Sequence, residues 1–150
     1  LVLYIKENRY KNISLVVSGD TGFYSMVPFM KNHFEVEELN IISGISSMQY
    51  MFSTIGHSYE DAFIASVHGR NCDYLTPIKN GRKIGLLTDN KTTPQVIAQT
   101  LLGNKIKGTI FVGERLSYTD EKITSMNLDV MSKIDSIFQI NVVVVIPCCT

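Results

Sequence analysis

Residues 83–112 read KIGLLTDNKTTPQVIAQTLLGNKIKGTIFV, and this run decides the fold class. Residues 83–88 are a short apolar run closing on Thr88, Asp89 and Asn90, as a strand does where it meets a polar loop. Residues 93–102 then place apolar side chains at helical spacing, with Thr92 or Thr93 suited to cap the helix through its hydroxyl. Residues 109–112 resume as a buried strand. Strand, helix and strand in immediate succession are the mark of an α/β chain.

The alternation continues outward. Residues 61–67 read as a strand, and upstream of them Ser43, Gly44, Ile45, Ser46 and Ser47 form a small-residue turn whose hydroxyls can cap a helix over 48–55. Further upstream, residues 34–42 alternate as a strand, 23–31 as a helix with Phe23, Met26, Val27 and Met30 on one face, and 13–17 as a β-branched strand. Residues 1–10 read as the last turns of a helix, an end without a beginning. Downstream, 121–127 form a strand, 128–134 a short helix, and 141–146 a strand apolar on both faces, expected in the middle of a sheet. The domain junction is expected at the hydroxyl-rich turn, giving domains 1–42 and 43–150.

Composition narrows the function. With 45% hydrophobic and 19% charged residues, 150 residues can close a core. Lys+Arg and Asp+Glu both total 14, so no net field draws a polyanion, and nucleic acid is not an expected partner. The longest apolar stretch, around 142–146, is far short of the roughly 20 residues a membrane-spanning helix needs. Cys72, Cys148 and Cys149 form no spaced ligand array and leave an odd count for pairing, which points to a reducing, cytoplasmic setting and to no protein metal site. The vicinal Cys148 and Cys149 read as an incidental tail. No initiator Met is present, so the sequence is expected to start inside a longer chain.

Three segments have the residue types that chemistry requires. In Ser18-Gly19-Asp20-Thr21-Gly22-Phe23-Tyr24-Ser25, two glycines bracket an acid between a strand and a helix, so backbone N–H groups can meet a polar or anionic group at close range. The same residues also read as a plain turn whose Asp20 caps the helix. Neither the P-loop nor the dinucleotide spacing is met, which sets aside kinase-like and NAD-dependent readings. His68-Gly69-Arg70 stands at a strand end, where open α/β sheets hold ligands. Arg70 can grip a carboxylate in bidentate fashion and His68 can shuttle a proton, or Arg70 can simply pair with Asp73. Thr88-Asp89 and Val112-Gly113-Glu114-Arg115 are two further polar strand ends. A hydrolase built on Ser18 or Ser25 with His68 lacks the G-x-S-x-G elbow.

Taken together and in order, Ser18-Gly19-Asp20-Thr21-Gly22-Phe23-Tyr24, Ser43-Gly44-Ile45-Ser46-Ser47-Met48-Gln49-Tyr50 and Ser66-Val67-His68-Gly69-Arg70 resemble the cobalt-precorrin C5-methyltransferase branch of the tetrapyrrole methylases. The His-Gly-Arg element selects the branch. Leu87-Thr88-Asp89 followed by Thr93-Pro94-Gln95, and Val112-Gly113-Glu114-Arg115-Leu116-Ser117-Tyr118 followed by Asp120-Glu121, extend the likeness over nearly the whole chain. The resemblance implies an α/β, two-domain tetrapyrrole methylase fold: here an incomplete N-terminal α/β domain lacking the family's first strand and glycine-rich opening loop, and a complete C-terminal α/β domain with a mixed sheet. Thr21 and Ser43 stand where the family usually has proline, so looser loops are expected.

The implied activity is transfer of a methyl group from S-adenosyl-L-methionine to C5 of a cobalt-precorrin in cobalamin biosynthesis, by a homodimer that holds the cofactor between its two domains. A separate C15-methylating, decarboxylating enzyme is an implied partner. The resemblance assigns Gly19, Asp20, Gly22, Phe23, Tyr24, Ser46 and Ser47 to the cofactor's methionine end and ribose. It assigns Thr88, Asp89, Val112 and Gly113 to its adenosine. Arg70 and Tyr24 fall to the substrate, and Asp20 and His68 are the candidate bases. The alternatives are another tetrapyrrole methylase acting at a different ring position and a non-catalytic α/β ligand-binding module.

Overall fold

A computed structural model describes residues 1–139 and 141–148. Cys149, and with it the vicinal cysteine pair, lies outside the described residues. The chain packs as two compact units, Leu1–Ser46 and Ser47–Thr150.

The second unit is built on one mixed five-stranded sheet, in the order β1 (Phe63–Ser66), β2 (Ile84–Leu87), β5 (Asn141–Pro147), β3 (Gly108–Glu114), β4 (Lys122–Asn127). β1 and β2 are parallel, whereas β5 runs antiparallel to both β2 and β3, and β3 antiparallel to β4. The last strand therefore enters the middle of the sheet. Its run Val142-Val143-Val144-Val145 is buried on both faces, which is why the sequence shows no polar alternation there. β-branched side chains suit the pleat, and each buried valine contributes about 1.5–3 kcal/mol of transfer free energy as an upper figure.

Register sorts the two faces. Ile84, Leu86, Ile110, Val112, Val143 and Val145 point to one face, where Ile97, Ala98 and Leu101 of α5 (Pro94–Gly103), Leu128 and Met131 of α6 (Leu128–Met131) and Ile78 of α4 (Leu75–Lys79) complete the main core. α5 begins as its sequence predicts: the Thr93 side chain accepts from the Val96 N–H at 3.3 Å, and Pro94 takes the first turn, where its missing N–H costs nothing. The opposite face receives α3 (Ser47–Thr54), whose Met48, Met51 and Phe52 are buried. α3 can lie so close because Gly85 in β2 has no side chain: a Cβ there would stand 2.5 Å from the Met48 sulfur and 3.0 Å from the Phe52 ring.

The first unit departs from the sequence expectation. It holds α1 (Val2–Glu7), α2 (Val27–Lys31) and a single 3-10 turn at Val36–Glu38 closed by a reciprocal Glu35/Glu38 capping box. Residues 13–17 and 34–42, both read as strands, pair with nothing among the described residues, and Val16 is 91% exposed. β-propensity supplies a preference for extended backbone, but a strand exists only where a neighbour takes its hydrogen bonds. The helix expected over 23–31 is reduced to α2, because Tyr24 sits at φ +50° and Pro28 must occupy a first turn.

Two glycine substitutions separate these effects. Gly85→Ala is expected to destabilise by about 1–3 kcal/mol through overpacking against α3. Gly103→Ala, at the exposed end of α5 with open space around it, is expected to stabilise by about 0.5 kcal/mol. Chemical denaturation of the two variants beside the parent checks both signs.

Candidate functional site

Strand direction brings three of the singled-out segments to one edge of the sheet. Ser66 pairs with Leu87, Leu87 with Val142, Val142 with Gly113, and Gly113 with Ile123, so these five residues form a single row. β1, β2 and β3 all run the same way, and their carboxyl ends, Val67 to Arg70, Thr88 to Asn90 and Gly113 to Arg115, leave the sheet side by side. β5 starts from this same edge. In sequence the three segments are far apart; the register makes them neighbours.

The loop after β1 is fixed to the loop after β2. Asp89 Oδ1 accepts from the N–H groups of Lys91 at 2.9 Å and Thr92 at 2.7 Å, and its Oδ2 accepts from the Gly69 N–H at 2.8 Å. These bonds, from Thr92, Gly69 and Lys91 in that order of weight, hold the Asp89 carboxyl at about 2, well below the usual carboxylate range. Gly69 has φ +63° with nothing near the place of a Cβ, so glycine is used here for its backbone and not for space. The His68 N–H donates to Ser66 Oγ at 3.3 Å, and His68 Nδ1 lies 3.3 Å from the Thr88 carbonyl oxygen. A carbonyl only accepts, so this contact puts a proton on Nδ1 of an exposed residue and leaves Nε2 as the acceptor of the neutral ring. Arg70 is exposed beside it.

Thr88 is buried, and Val112 is wholly buried in the main core, paired with Thr124 on one side and Val143 on the other. A Cβ on Gly113 would stand 2.7 Å from the Met51 sulfur and 2.8 Å from Leu116, which explains the glycine by packing on that side. Beyond it, Arg115 and Ser117 adopt left-handed backbone at φ +49° and +69°. Two carboxylates steady this loop: Glu121 accepts from the Ser117 N–H at 2.7 Å, and Asp120 pairs with Arg115 at 2.5 Å. Tyr50 of α3 bonds Glu121, which pushes its phenol upward. The sequence reading gave Tyr50 and Glu121 no role; the Ser117-to-Glu121 spacing across a turn was the available signal. Glu114, buried at the end of β3, accepts from the Gln139 N–H at 2.9 Å and so holds the segment that leads into β5.

In the first unit, the Ser18-to-Ser25 loop folds back on the turn around Gly44. Asp20 Oδ1 accepts from the Gly22 N–H at 2.9 Å and Oδ2 from the Gly44 N–H at 3.0 Å, and these bonds, Gly44 first, lower its carboxyl. A Cβ on Gly44 would meet the Gly19 carbonyl oxygen at 2.3 Å, so the two backbones touch. Thr21, standing where proline was noted as usual, donates its hydroxyl to the Ile42 carbonyl at 3.0 Å, a bond proline cannot make. Gly19 is left-handed at φ +72°, and Tyr24, at φ +50°, stacks edge-on against Phe23 at 4.9 Å. Ser46 is buried, whereas Ser47 is exposed and opens α3 in the second unit.

The family model for Tetrapyrrole (Corrin/Porphyrin) Methylases matches residues 2–131. The chain belongs to the tetrapyrrole methylase family. A cobalt-precorrin-7 C(5)-methyltransferase from Salmonella typhimurium is 31% identical over 97% of this chain and 71% of its own. Among solved structures, a cobalamin-biosynthesis precorrin-6Y methylase from Archaeoglobus fulgidus superposes with a TM-score of 0.70 at 19% identity, covering 97% of this chain and 68% of that one. A uroporphyrin-III C-methyltransferase from Thermus thermophilus, complexed with S-adenosylhomocysteine, gives 0.68 at 16%, covering 96% and 67%. The five-stranded mixed sheet is thus the sheet of a tetrapyrrole methylase. Among the described residues no helix is long and apolar enough to cross a membrane, and no group of three or more His, Cys, Asp and Glu side chains is placed to hold a metal ion.

The Asp89 bonds carry a pH signature. The unfolded carboxylate takes up its proton near 3.8 and the folded one near about 2, so acid protonates the unfolded state first. The stabilisation is full above about pH 4 and is lost as the pH falls toward about 2. Denaturation midpoints of the parent are expected to fall more steeply across that window than those of Asp89→Asn, which has no carboxylate to protonate.

Proposed function

We propose that this chain is a methyltransferase of cobalamin biosynthesis that moves a methyl group from S-adenosyl-L-methionine to C5 of a cobalt-precorrin. The observation that carries the reading is the single sheet edge on which His68, Arg70, Thr88 and Gly113 emerge together, combined with the 31% identity to the C(5)-methyltransferase of Salmonella. The donor set fits such a cofactor. Within the second unit, the Thr88 hydroxyl and the Gly113 backbone are of the kind that suits the edges of an adenosine; within the first unit, the Gly19-to-Tyr24 loop offers close-approaching backbone and aromatic faces of the kind that suits a polar cofactor group. Asp89, grouped with the adenosine, accepts backbone N–H groups on both of its carboxylate oxygens.

S-adenosylmethionine, when bound, supplies an electrophilic methyl on a sulfonium that leaves as a neutral thioether. The chain's own contribution is placement and proton handling. Arg70 grips peripheral carboxylates of the macrocycle through its planar fork. As the macrocycle carbon gains the methyl group, the proton it gives up goes to His68 Nε2, the nitrogen whose lone pair is left free. Asp20 is the weaker candidate base: its oxygens already accept two N–H bonds, and a lowered carboxyl is a poor proton acceptor. The setting is the reducing cytoplasm, where free Cys72 and Cys148 need no partner, and the working state is a homodimer beside a separate C15-methylating, decarboxylating enzyme.

Titration calorimetry with S-adenosylhomocysteine is expected to show binding, with ATP inert. Incubation with cobalt-precorrin-7 and S-adenosylmethionine is expected to give a product one methyl heavier, placed at C5 by NMR. His68→Asn is expected to slow single-turnover transfer about 10²–10⁴-fold, and Arg70→Ala to raise KM for the macrocycle more than it lowers kcat. Methyl transfer to another ring carbon would keep the family and overturn the substrate; full single-turnover rates in His68→Asn would remove it as the base.

A further inference from the structure

The sequence marked Asp89 as a ligand-facing acid at a strand end. Its geometry gives it different work. Both oxygens are spent inside the protein, one closing its own turn through Lys91 and Thr92 and the other reaching across to the neighbouring strand's loop at Gly69. The Gly69 bond lies between His68 and Arg70, the two residues proposed to meet the acceptor. From the other side, the Thr88 carbonyl, adjacent to Asp89 in the chain, takes the His68 ring. The loop after β1 is thus held to the loop after β2 at two points, the Gly69 backbone and the His68 imidazole.

We infer that Asp89 is the positioning residue of the His68-Gly69-Arg70 elbow, fixing through Gly69 the ring orientation and tautomer of His68 and the reach of Arg70 toward an anionic acceptor. The elbow needs such a hold. His68, Gly69 and Arg70 are all exposed, so core packing does not set their positions. Gly69 also occupies left-handed backbone with no neighbour within 4 Å of where a Cβ would be, a conformation that glycine keeps only if something selects it from its many alternatives. A carboxylate bond at 2.8 Å is that selection. Of the two parts of the Asp89 arrangement, only the turn at Lys91 and Thr92 is local; the Gly69 bond joins two strands and has no local purpose.

The inference rests on the proposed methyl transfer for its kinetic consequence but not for its structural one, and Asp89→Asn tests both. The asparagine carbonyl can still accept from Lys91 and Thr92, but its NH₂ then faces the Gly69 N–H, donor against donor. In ¹⁵N-labelled protein the Gly69 amide proton is expected to move upfield in Asp89→Asn while those of Lys91 and Thr92 hold. The neutral His68 ring is expected to pass from the Nδ1–H form to a mixture of tautomers, read from its ring-nitrogen shifts. With cobalt-precorrin-7 as acceptor, KM is expected to rise about ten- to a hundredfold, with the Kd of S-adenosylhomocysteine within about twofold of the parent. Gly69→Ala, which disturbs the elbow without touching Asp89, is expected to give a similar rise, and the double variant no more than either alone. An unchanged His68 tautomer in Asp89→Asn, or effects of the two substitutions that multiply, would overturn the inference. A parent that neither binds S-adenosylhomocysteine nor transfers methyl would instead defeat the functional reading, with the tautomer result still deciding whether Asp89 holds the elbow.

Discussion

The second unit depends on one strand. β5 is the last element of the chain and the centre of the sheet, and without it β1–β2 and β3–β4 would be two separate ribbons. Its valines fill both faces at once, so the same four residues close the main core and floor the groove that receives α3. β5 also fixes the functional edge. Val142 is the residue that places Leu87 and Gly113 in one row, and so sets the distance between the Thr88 loop and the loop after β3 at two strand spacings, roughly 10 Å. A non-local pairing of this kind is slow to form because its loop-closure entropy must be met before any contact rewards it.

At that edge, packing gives way to hydrogen bonding. Loops that present groups to a ligand cannot be fixed by burying them, since burial would remove the surface they serve. Carboxylates do the fixing instead. Asp89 ties two strand-end loops, Glu121 ties the turn at Ser117, and in the first unit Asp20 ties its loop to the turn at Gly44. Each accepts backbone N–H groups, and for Asp20 and Asp89 this lowers the carboxyl, so at neutral pH these bonds are charge-assisted. The same property makes both poor bases. A carboxylate held ionised by backbone N–H groups is a poor group to accept a proton from carbon.

Much of the second unit was legible because its signals are strong and local. The capped helix over α5, the β-branched runs of β2 and β3 and the two-faced apolarity of β5 each identify an element without tertiary knowledge. α4 was missed because Pro77 lies inside it and breaks the helical reading, although Asp73, which accepts from the Leu75 and Thr76 N–H groups, marks its start. The first unit misled for the opposite reason: residues 13–17 have the composition of a strand, and composition cannot supply a partner. At the sheet edge, the strand-end loops were legible, since small and polar residues after apolar runs are visible in one dimension. The roles within those loops were not visible. Whether an aspartate faces a ligand or its own backbone is decided by which N–H groups surround it, and for Asp89 the decisive one, Gly69, comes from another strand.

Glycine shows the same limit from the other side. The sequence treats Gly69, Gly85 and Gly113 alike, as places where a ligand or a turn might need room. In the fold they have three different reasons. Gly85 has no side chain so that Met48 and Phe52 can lie against the sheet; Gly113 gives way to Met51 and Leu116 on one side while its backbone stands at the functional edge; Gly69 has open space around it and is glycine for its backbone angle alone. α3 therefore reaches the site from behind, through Met51 beneath Gly113 and Tyr50 on Glu121, and a change in its packing would be felt at the loop after β3 without any contact to a ligand. The helix that opens at Ser47 supports the functional edge as well as covering the sheet.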